Sequence, residues 1–368
     1  MAITNEDILN ALRHVDDPDI KKDLVSLNMI SNIAVDGNKV SFKLTLTTPA
    51  CPLKEKIKND CINAIHEYVG KDLQVEIDID SNVTTLRKEN VNVLPSVKNI
   101  ICVASGKGGV GKSTVAVNLA LSLARTGAKV GLIDADIYGP SIPMMLGVKG
   151  RKPEVRLIKD KHYMVPLEAE GIKILSIGLL IDDRQAVVWR GPMVTSALRQ
   201  FVTDCIWGKL DYMVVDMPPG TGDIHITVAQ TLNVTGAVIV TTPQDVALAD
   251  ARKALSMFRL ENINVPVLGV VENMAYFTPE ELPNNKYYIF GKDGGQKLAE
   301  EYEVPFLGQI PLVQSIREGG DNGKPVSTYG RDNELVAKAF DDIANNVARQ
   351  VAIKNANLQP EQTDLVLS

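Results

Sequence analysis

Cysteine is scarce in this chain. Four in 368 residues do not make a disulfide framework, so a reducing cytoplasm is the expected compartment. Long apolar runs are missing as well: none approaches the roughly 20 residues of a membrane-spanning helix. The first residues, Met1-Ala2-Ile3-Thr4-Asn5-Glu6-Asp7, contain neither a basic nor an apolar stretch, so secretion is not expected. Positive charge is not in excess, and a net charge of −6 argues against nucleic acid as the main partner. The four histidines, at 14, 66, 162 and 225, are scattered. What remains is ordinary for a soluble globular protein, 45% hydrophobic and 23% charged, in a chain long enough for two domains.

Residues 106 to 113 read Gly106-Lys107-Gly108-Gly109-Val110-Gly111-Lys112-Ser113, a phosphate-binding loop with an extra lysine after its first glycine. The glycines let backbone N–H groups close around a polyphosphate without Cβ clashes. Lys112 has the reach to contact β- and γ-phosphates, and the Ser113 hydroxyl suits Mg²⁺; Thr114 completes the nucleotide-binding stretch. The surroundings agree. Ile100 to Ala104 upstream is an apolar run of buried-strand type. Val115, Leu119 and Leu123 share one face of a helix that ends at Gly127. Two further apolar runs end in acids, Val130–Ile133 at Asp134-Ala135-Asp136 and Tyr212–Val215 at Asp216, ahead of Pro218-Pro219-Gly220-Thr221-Gly222-Asp223.

Residues 1–80 read as a separate small α/β domain. Thr4 is placed to cap a helix carrying Ile8, Leu9 and Leu12. Asp36-Gly37 lies between alternating runs and marks a hairpin. Leu53, Ile57, Cys61 and Ile65 recur at helical spacing, and Val75, Ile77 and Ile79 alternate as a strand. Residues 81–97 lose periodicity and read as a linker. From residue 98 to 351, apolar strands (99–104, 129–133, 172–177, 211–215, 236–241, 266–271) alternate with amphipathic helices. That pattern predicts an α/β P-loop NTPase domain, a mostly parallel sheet covered by helices on both faces. Ligands of such sheets bind at the carboxyl ends of the strands, where Lys107, Asp136 and Asp216 fall. Residues 334 to about 351 form a terminal amphipathic helix without the basic stripe of a membrane-surface helix, and 352–368 read as a disordered tail.

Phosphoryl transfer needs charge neutralisation and an oriented nucleophile. Lys112 and Mg²⁺ supply the first. Ser113 and Asp216 are the candidate Mg²⁺ ligands, with Asp136 beside them, directly or through water. Asp136 is preferred over Asp134 as the residue that orients the attacking water; Asp134 suits a structural acid. Lys107 has two open readings, a solvated loop lysine or a cation that reaches across a twofold dimer to the partner's phosphates. His225 reads as a locally satisfied histidine.

The loop, the stretch Asp134-Ala135-Asp136-Ile137-Tyr138-Gly139-Pro140-Ser141, the segment Asp216 to Asp223 and Glu272-Asn273-Met274 resemble the Mrp/ApbC family of P-loop iron–sulfur cluster carrier ATPases. Ile289-Phe290-Gly291, Gly308-Gln309-Ile310-Pro311-Leu312 and Ile316-Arg317-Glu318-Gly319-Gly320-Asp321 fit too. The likeness covers roughly residues 98 to 350. It implies an ATP-hydrolysing homodimer with Lys107 crossing between subunits, Asn273 reading the adenine edge and the chain near Pro311 packing on the base. It also implies iron–sulfur client apoproteins or assembly factors as partners. The small domain resembles the one commonly fused ahead of this ATPase, through Asp17-Pro18-Asp19 and Thr47-Thr48-Pro49-Ala50-Cys51-Pro52. Cys51 is then placed at a helix start, which would lower its thiol pKa and favour the metal-binding thiolate.

The chain departs from that family in one respect. Carriers of this type usually have a Cys-x-x-Cys pair shortly after the Glu-Asn-Met stretch, and two pairs, one per subunit, would give the four thiolates of a [4Fe–4S] cluster. Here residues 276–288, Tyr276 to Tyr288, hold no cysteine. Tyr287 and Tyr288 read equally as a partner surface or a packed loop. Cys61, Cys102 and Cys205 read as core, the last on a helix face with Leu198, Phe201 and Val202, which leaves Cys51 as the one reactive thiol. Three functions stay in view: an ATP-driven cluster carrier, a nucleotide-gated module for a protein client without a cluster, and a partitioning-type positioning ATPase. The last would want a basic surface that the sequence does not show.

Overall fold

Thr4 opens the first helix as expected. Its hydroxyl accepts from the Asp7 N–H, and the Asp7 carboxylate accepts from the Thr4 N–H, a reciprocal cap that starts α1 (Asn5–Leu12). The structure, a computed structural model, describes residues 3–85, 93–180, 191–279, 281–282, 285–331 and 333–358. β1 (Ile30–Asp36) and β2 (Lys39–Leu46) form the hairpin that Asp36-Gly37 signals. β3 (Gln74–Ser81) runs parallel to β2 after the crossover helix α2 (Lys54–Tyr68). Alternation decides which side is buried: Val40, Phe42, Leu44 and Leu46 face a core with Ile8, Leu12, Ile57, Cys61 and Ile65.

The chain divides into two compact units, Met1–Leu86 with the segment from Ala348 onward, and Arg87–Val347. The strands of the second unit are β4 (Val97–Ala104), β5 (Val130–Asp134), β6 (Glu154–Ile158), β7 (Lys161–Val165), β8 (Leu167–Ala169), β9 (Ile172–Ser176), β10 (Leu210–Asp216), β11 (Gly236–Thr241), β12 (Val267–Glu272) and β13 (Phe306–Gln309). Its helices are α3 (Lys112–Arg125), α4 (Ile142–Met145), α5 (Gly191–Thr203), α6 (Asp223–Leu232), α7 (Asp245–Phe258), α8 (Gly294–Glu301), α9 (Gln314–Asp321) and α10 (Val326–Tyr329), and α11 (Glu334–Leu358) begins in this unit. The main sheet has the order β13-β12-β11-β4-β10-β5-β9-β8. Every neighbouring pair is parallel except β8–β9. Ile100 and Cys102 point into a core with Phe201, Val228, Leu232, Leu255 and Phe258 of α5, α6 and α7. Ile101 and Val103, also fully buried, take the opposite face by the period of two, the face on which α3 packs. Both faces are therefore covered.

The structure differs from the sequence reading in several places. The sheet starts at Val97, inside the segment read as linker, and residues 86–92 of that segment lie outside the described residues. α11 continues to Leu358, so residues 352–358, read as tail, are helical; Val351 and Asn355 are buried, and Asn355 Nδ2 donates to the Thr84 carbonyl. Residues 359–368 lie outside the described residues. Cys205 follows α5 rather than lying on it, and bridges to Met164. The hairpin β6–β7 and the short β13 have no counterpart in the sequence reading. β6 is exposed along its whole length and carries charge on both strands, and β13 is only four residues long, so neither shows clean periodicity.

Candidate nucleotide-binding site

β4 delivers the chain to Ala104 at the carboxyl edge of the sheet, and the loop 105–111 turns it into α3. Gly111, at φ +81°, is the N-cap, and Lys112 is the first helical residue. Two of the loop glycines are required by close neighbours. A Cβ on Gly106 would lie 2.1 Å from the backbone carbonyl of Asp250 in α7, and one on Gly111 would lie 2.1 Å from Asn273 Nδ2. The loop is thus wedged between α7 and the residue after β12, with N–H groups at a helix N-terminus, the arrangement that binds anions.

Two cavities meet at this loop. One, of about 210 Å³, is lined by Lys107, Gly108, Lys112, Ser113, Thr114, Asp136 and Pro219. The other, of about 250 Å³ and mainly apolar, is lined by Asn273, Met274, Pro311, Leu312, Ile316 and Arg317. Gly111, Thr114 and Met145 belong to both walls. A polar chamber with helix-start amides beside an apolar one matches the two halves of a nucleotide, polyphosphate and base.

The acids arrive by register. Asp216 at the end of β10 pairs with Asp134 at the end of β5, so two carboxylates are set side by side. Lys112 Nζ lies 2.7 Å from Asp216 Oδ1, 3.2 Å from Ser113 Oγ and 3.5 Å from Asp136 Oδ2, and is only 6% exposed. One cation thus holds the acids together where a nucleotide and its counter-ion would compete for them. Asp134 accepts from the Asp136 and Ile142 N–H groups and from Ser176 Oγ. Burial, and then the charge of Asp216, push its carboxyl well above the usual carboxylate range. Asp134 is held by backbone N–H groups and Ser176, whereas Asp136 lines the cavity wall. Burial also raises Asp216, against the pull of Lys112. Asp216 Oδ2 is buried without a hydrogen-bond partner. A carboxylate with one orphaned oxygen, in contact with the Ser113 side chain, fits the hard oxygen ligands that Mg²⁺ takes.

A family profile described as the NUBPL iron-transfer P-loop NTPase matches residues 96–348. The chain belongs to this family. A second profile, an iron-sulfur cluster assembly protein, matches residues 5–77. An iron-sulfur cluster carrier protein of Synechocystis is 48% identical over 95% of this chain and 99% of the relative. One from Escherichia coli is 43% identical over 94% and 91%. Among solved structures, the nucleotide-binding protein of Archaeoglobus fulgidus in complex with ADP superposes with TM-score 0.54 at 38% identity, covering 63% of this chain and 88% of that one. As an iron-transfer P-loop NTPase the chain has the fold expected from its sequence, and nucleotide binding is the property its family name and that relative share.

The structure brings Lys107, Lys112, Ser113, Thr114 and Asp136 together around the polar cavity, with Asp216 behind Lys112, and sets Asn273 and Pro311 on the wall of the apolar one. Asn273 also braces the loop, because its Nδ2 donates to the Val110 carbonyl at 2.8 Å. Ser176 and Met145 went unread in the sequence, and Pro219 and Ile316, named within motif stretches, were given no site role. Sequence reading also missed what Glu272 does: the carboxylate of this motif residue accepts from the Gly295 N–H at the start of α8 and, at 2.9 Å, from Gln309.

Cys51 corrects an expectation. It lies three residues ahead of α2, whose N-cap is Leu53. Burial raises its thiol pKa, and the carboxylates of Asp17 and Asp19 raise it further, against the Leu53 N–H and the Arg349 charge. Helix-start stabilisation of the thiolate is outweighed. Cys61, Cys102 and Cys205 are pushed up by burial to about 12. Among the described residues, no three or more His, Cys, Asp or Glu side chains gather as a metal site.

Proposed function

We propose that this chain is an ATP-hydrolysing iron–sulfur cluster carrier that works as a homodimer in the cytoplasm. The observation that carries the nucleotide half is Lys112, buried among Ser113, Asp136 and Asp216 at the mouth of a glycine-walled cavity. The carrier half is supported by the names of full-length relatives. In this reading the N–H groups of residues 108–114 hold the phosphates, and Lys112 exchanges Asp216 for a phosphate oxygen. Asp136 orients the attacking water and holds it for in-line attack. Mg²⁺, when bound, neutralises phosphate charge, and Ser113 and Asp216 would hold it, with Asp136 alongside. Asn273 and the Pro311 segment enclose the base. Lys107, on the cavity wall, reaches the partner subunit's phosphates, so hydrolysis depends on dimerisation.

The cluster is cargo. Cys51 supplies one thiol per subunit, two in a dimer, and client or small-molecule thiols complete a shell that needs four. Anaerobic reconstitution with iron and sulfide tests this: a stoichiometric cluster on the wild type, lost in Cys51→Ala, is expected. The cysteine-free stretch 276–288, where carriers of this type usually have a Cys-x-x-Cys pair, favours a second reading, a nucleotide-gated module whose cargo is a protein client. No cluster on either variant would select it.

A further inference from the structure

The loop between Asp216 and α6 is pinned from several sides. The Met217 N–H donates to the Val103 carbonyl at 3.0 Å, and the Gly220 N–H donates to the Ser105 carbonyl at 2.9 Å. Pro219, between them, lines the phosphate cavity. Pro218 is buried, and His225, 2% exposed in the first turn of α6, places Nε2 3.0 Å from its carbonyl oxygen. Nδ1 lies 3.3 Å from the Gly222 carbonyl, which already accepts the His225 backbone N–H at 3.0 Å. Carbonyl oxygens only accept, so the ring must donate. A neutral imidazole carries one N–H. The shorter contact, to a buried carbonyl for which His225 is the one donor among the described residues' hydrogen bonds, puts that proton on Nε2.

We propose that His225 is a positioning residue for hydrolysis, whose Nε2–H fixes Pro218 and thereby holds Pro219 and the chain leaving Asp216 against the phosphates. This rests on the nucleotide reading of the cavity. The ring touches no phosphate; it acts through the loop. Burial keeps it below its usual pKa, so the single-donor form prevails at neutral pH. Lys112 and Asp136 are the charged side chains whose fields it feels.

The test compares wild type, His225→Leu and His225→Gln by ATP turnover, ATP affinity and amide hydrogen exchange of residues 217–222. Leucine fills the volume but leaves the Pro218 carbonyl unpaired; the glutamine amide still donates. His225→Leu should lose about tenfold in kcat, the scale of a lost orienting contact. Its nucleotide affinity should stay within about threefold and its loop exchange should rise, while Gln restores both kcat and exchange. Unchanged turnover in the leucine variant, or a glutamine variant as slow as the leucine one, overturns the proposal. Should His225→Leu not fold, the glutamine variant decides alone: wild-type turnover and exchange support the donor role, and a fall in either refutes it. A wild type without turnover counts against the nucleotide reading, and the exchange data then judge the loop anchor by themselves.

Discussion

Lys112 opens α3 and Lys107 lies five residues earlier in the loop before it, in different surroundings. Lys112 is buried against Asp216, so in the proposed function its loss removes both a phosphate contact and the only cation paired with the described acids of this cluster. Lys107 is half-buried at the cavity wall. Lys107→Ala should therefore cut ATP turnover by tenfold or more, on the order of a lost cross-subunit cation, while binding is largely kept. Steady-state turnover beside a calorimetric titration separates the two, and wild-type turnover in that variant would remove the cross-subunit role. The cysteines give a second residue-scale expectation. Only thiolate reacts with iodoacetamide, and all four thiols sit above their ordinary pKa. Native protein at pH 8 should label slowly, at Cys51 alone, with a rate that still climbs beyond pH 9. Fast labelling at pH 7 would show that the thiol is activated after all. The position of Cys51 was legible in the sequence, but its environment was not. Asp17 and Asp19 reach it only through the fold, and Asp19 is in turn paired with Arg349 at 2.6 Å, 330 residues further along the chain.

Elements place the site more strictly than residues do. α7 lies so close to the loop that Gly106 has no room for a Cβ, and the obstacle is backbone. In Gly106→Ala either α7 or the loop must move. Melting curves with and without Mg-ATP are expected to show a lower Tm and a lost nucleotide-induced shift; a full shift in that variant would mean the close approach is dispensable. Six strands of the main sheet, β4, β5, β9, β10, β11 and β12, were read to within two residues, because buried parallel strands are uninterrupted apolar runs and terminal acids end several of those runs. The bracing contacts were not: Asn273 to Val110, His225 to Pro218 and Ser176 to Asp134 each join separate elements. Pattern within one segment carries no trace of a partner 7 to 163 residues away.

At the scale of the whole molecule the sequence separates two functions. The larger unit brings its candidate nucleotide residues together from several strand ends and the loops after them, and the smaller one carries the single thiol with a case for reactivity. No helix among the described residues is long and apolar enough to cross a membrane. The family, the fold and the glycine-walled cavity converge on a nucleotide, and the rest of the account depends on that. Isothermal titration of the wild type and of Lys112→Ala with ATP and Mg²⁺ measures it directly. Saturable binding of one nucleotide per chain is expected in the wild type and none in the variant. No heat of association in the wild type, or equal binding by both proteins, would contradict it.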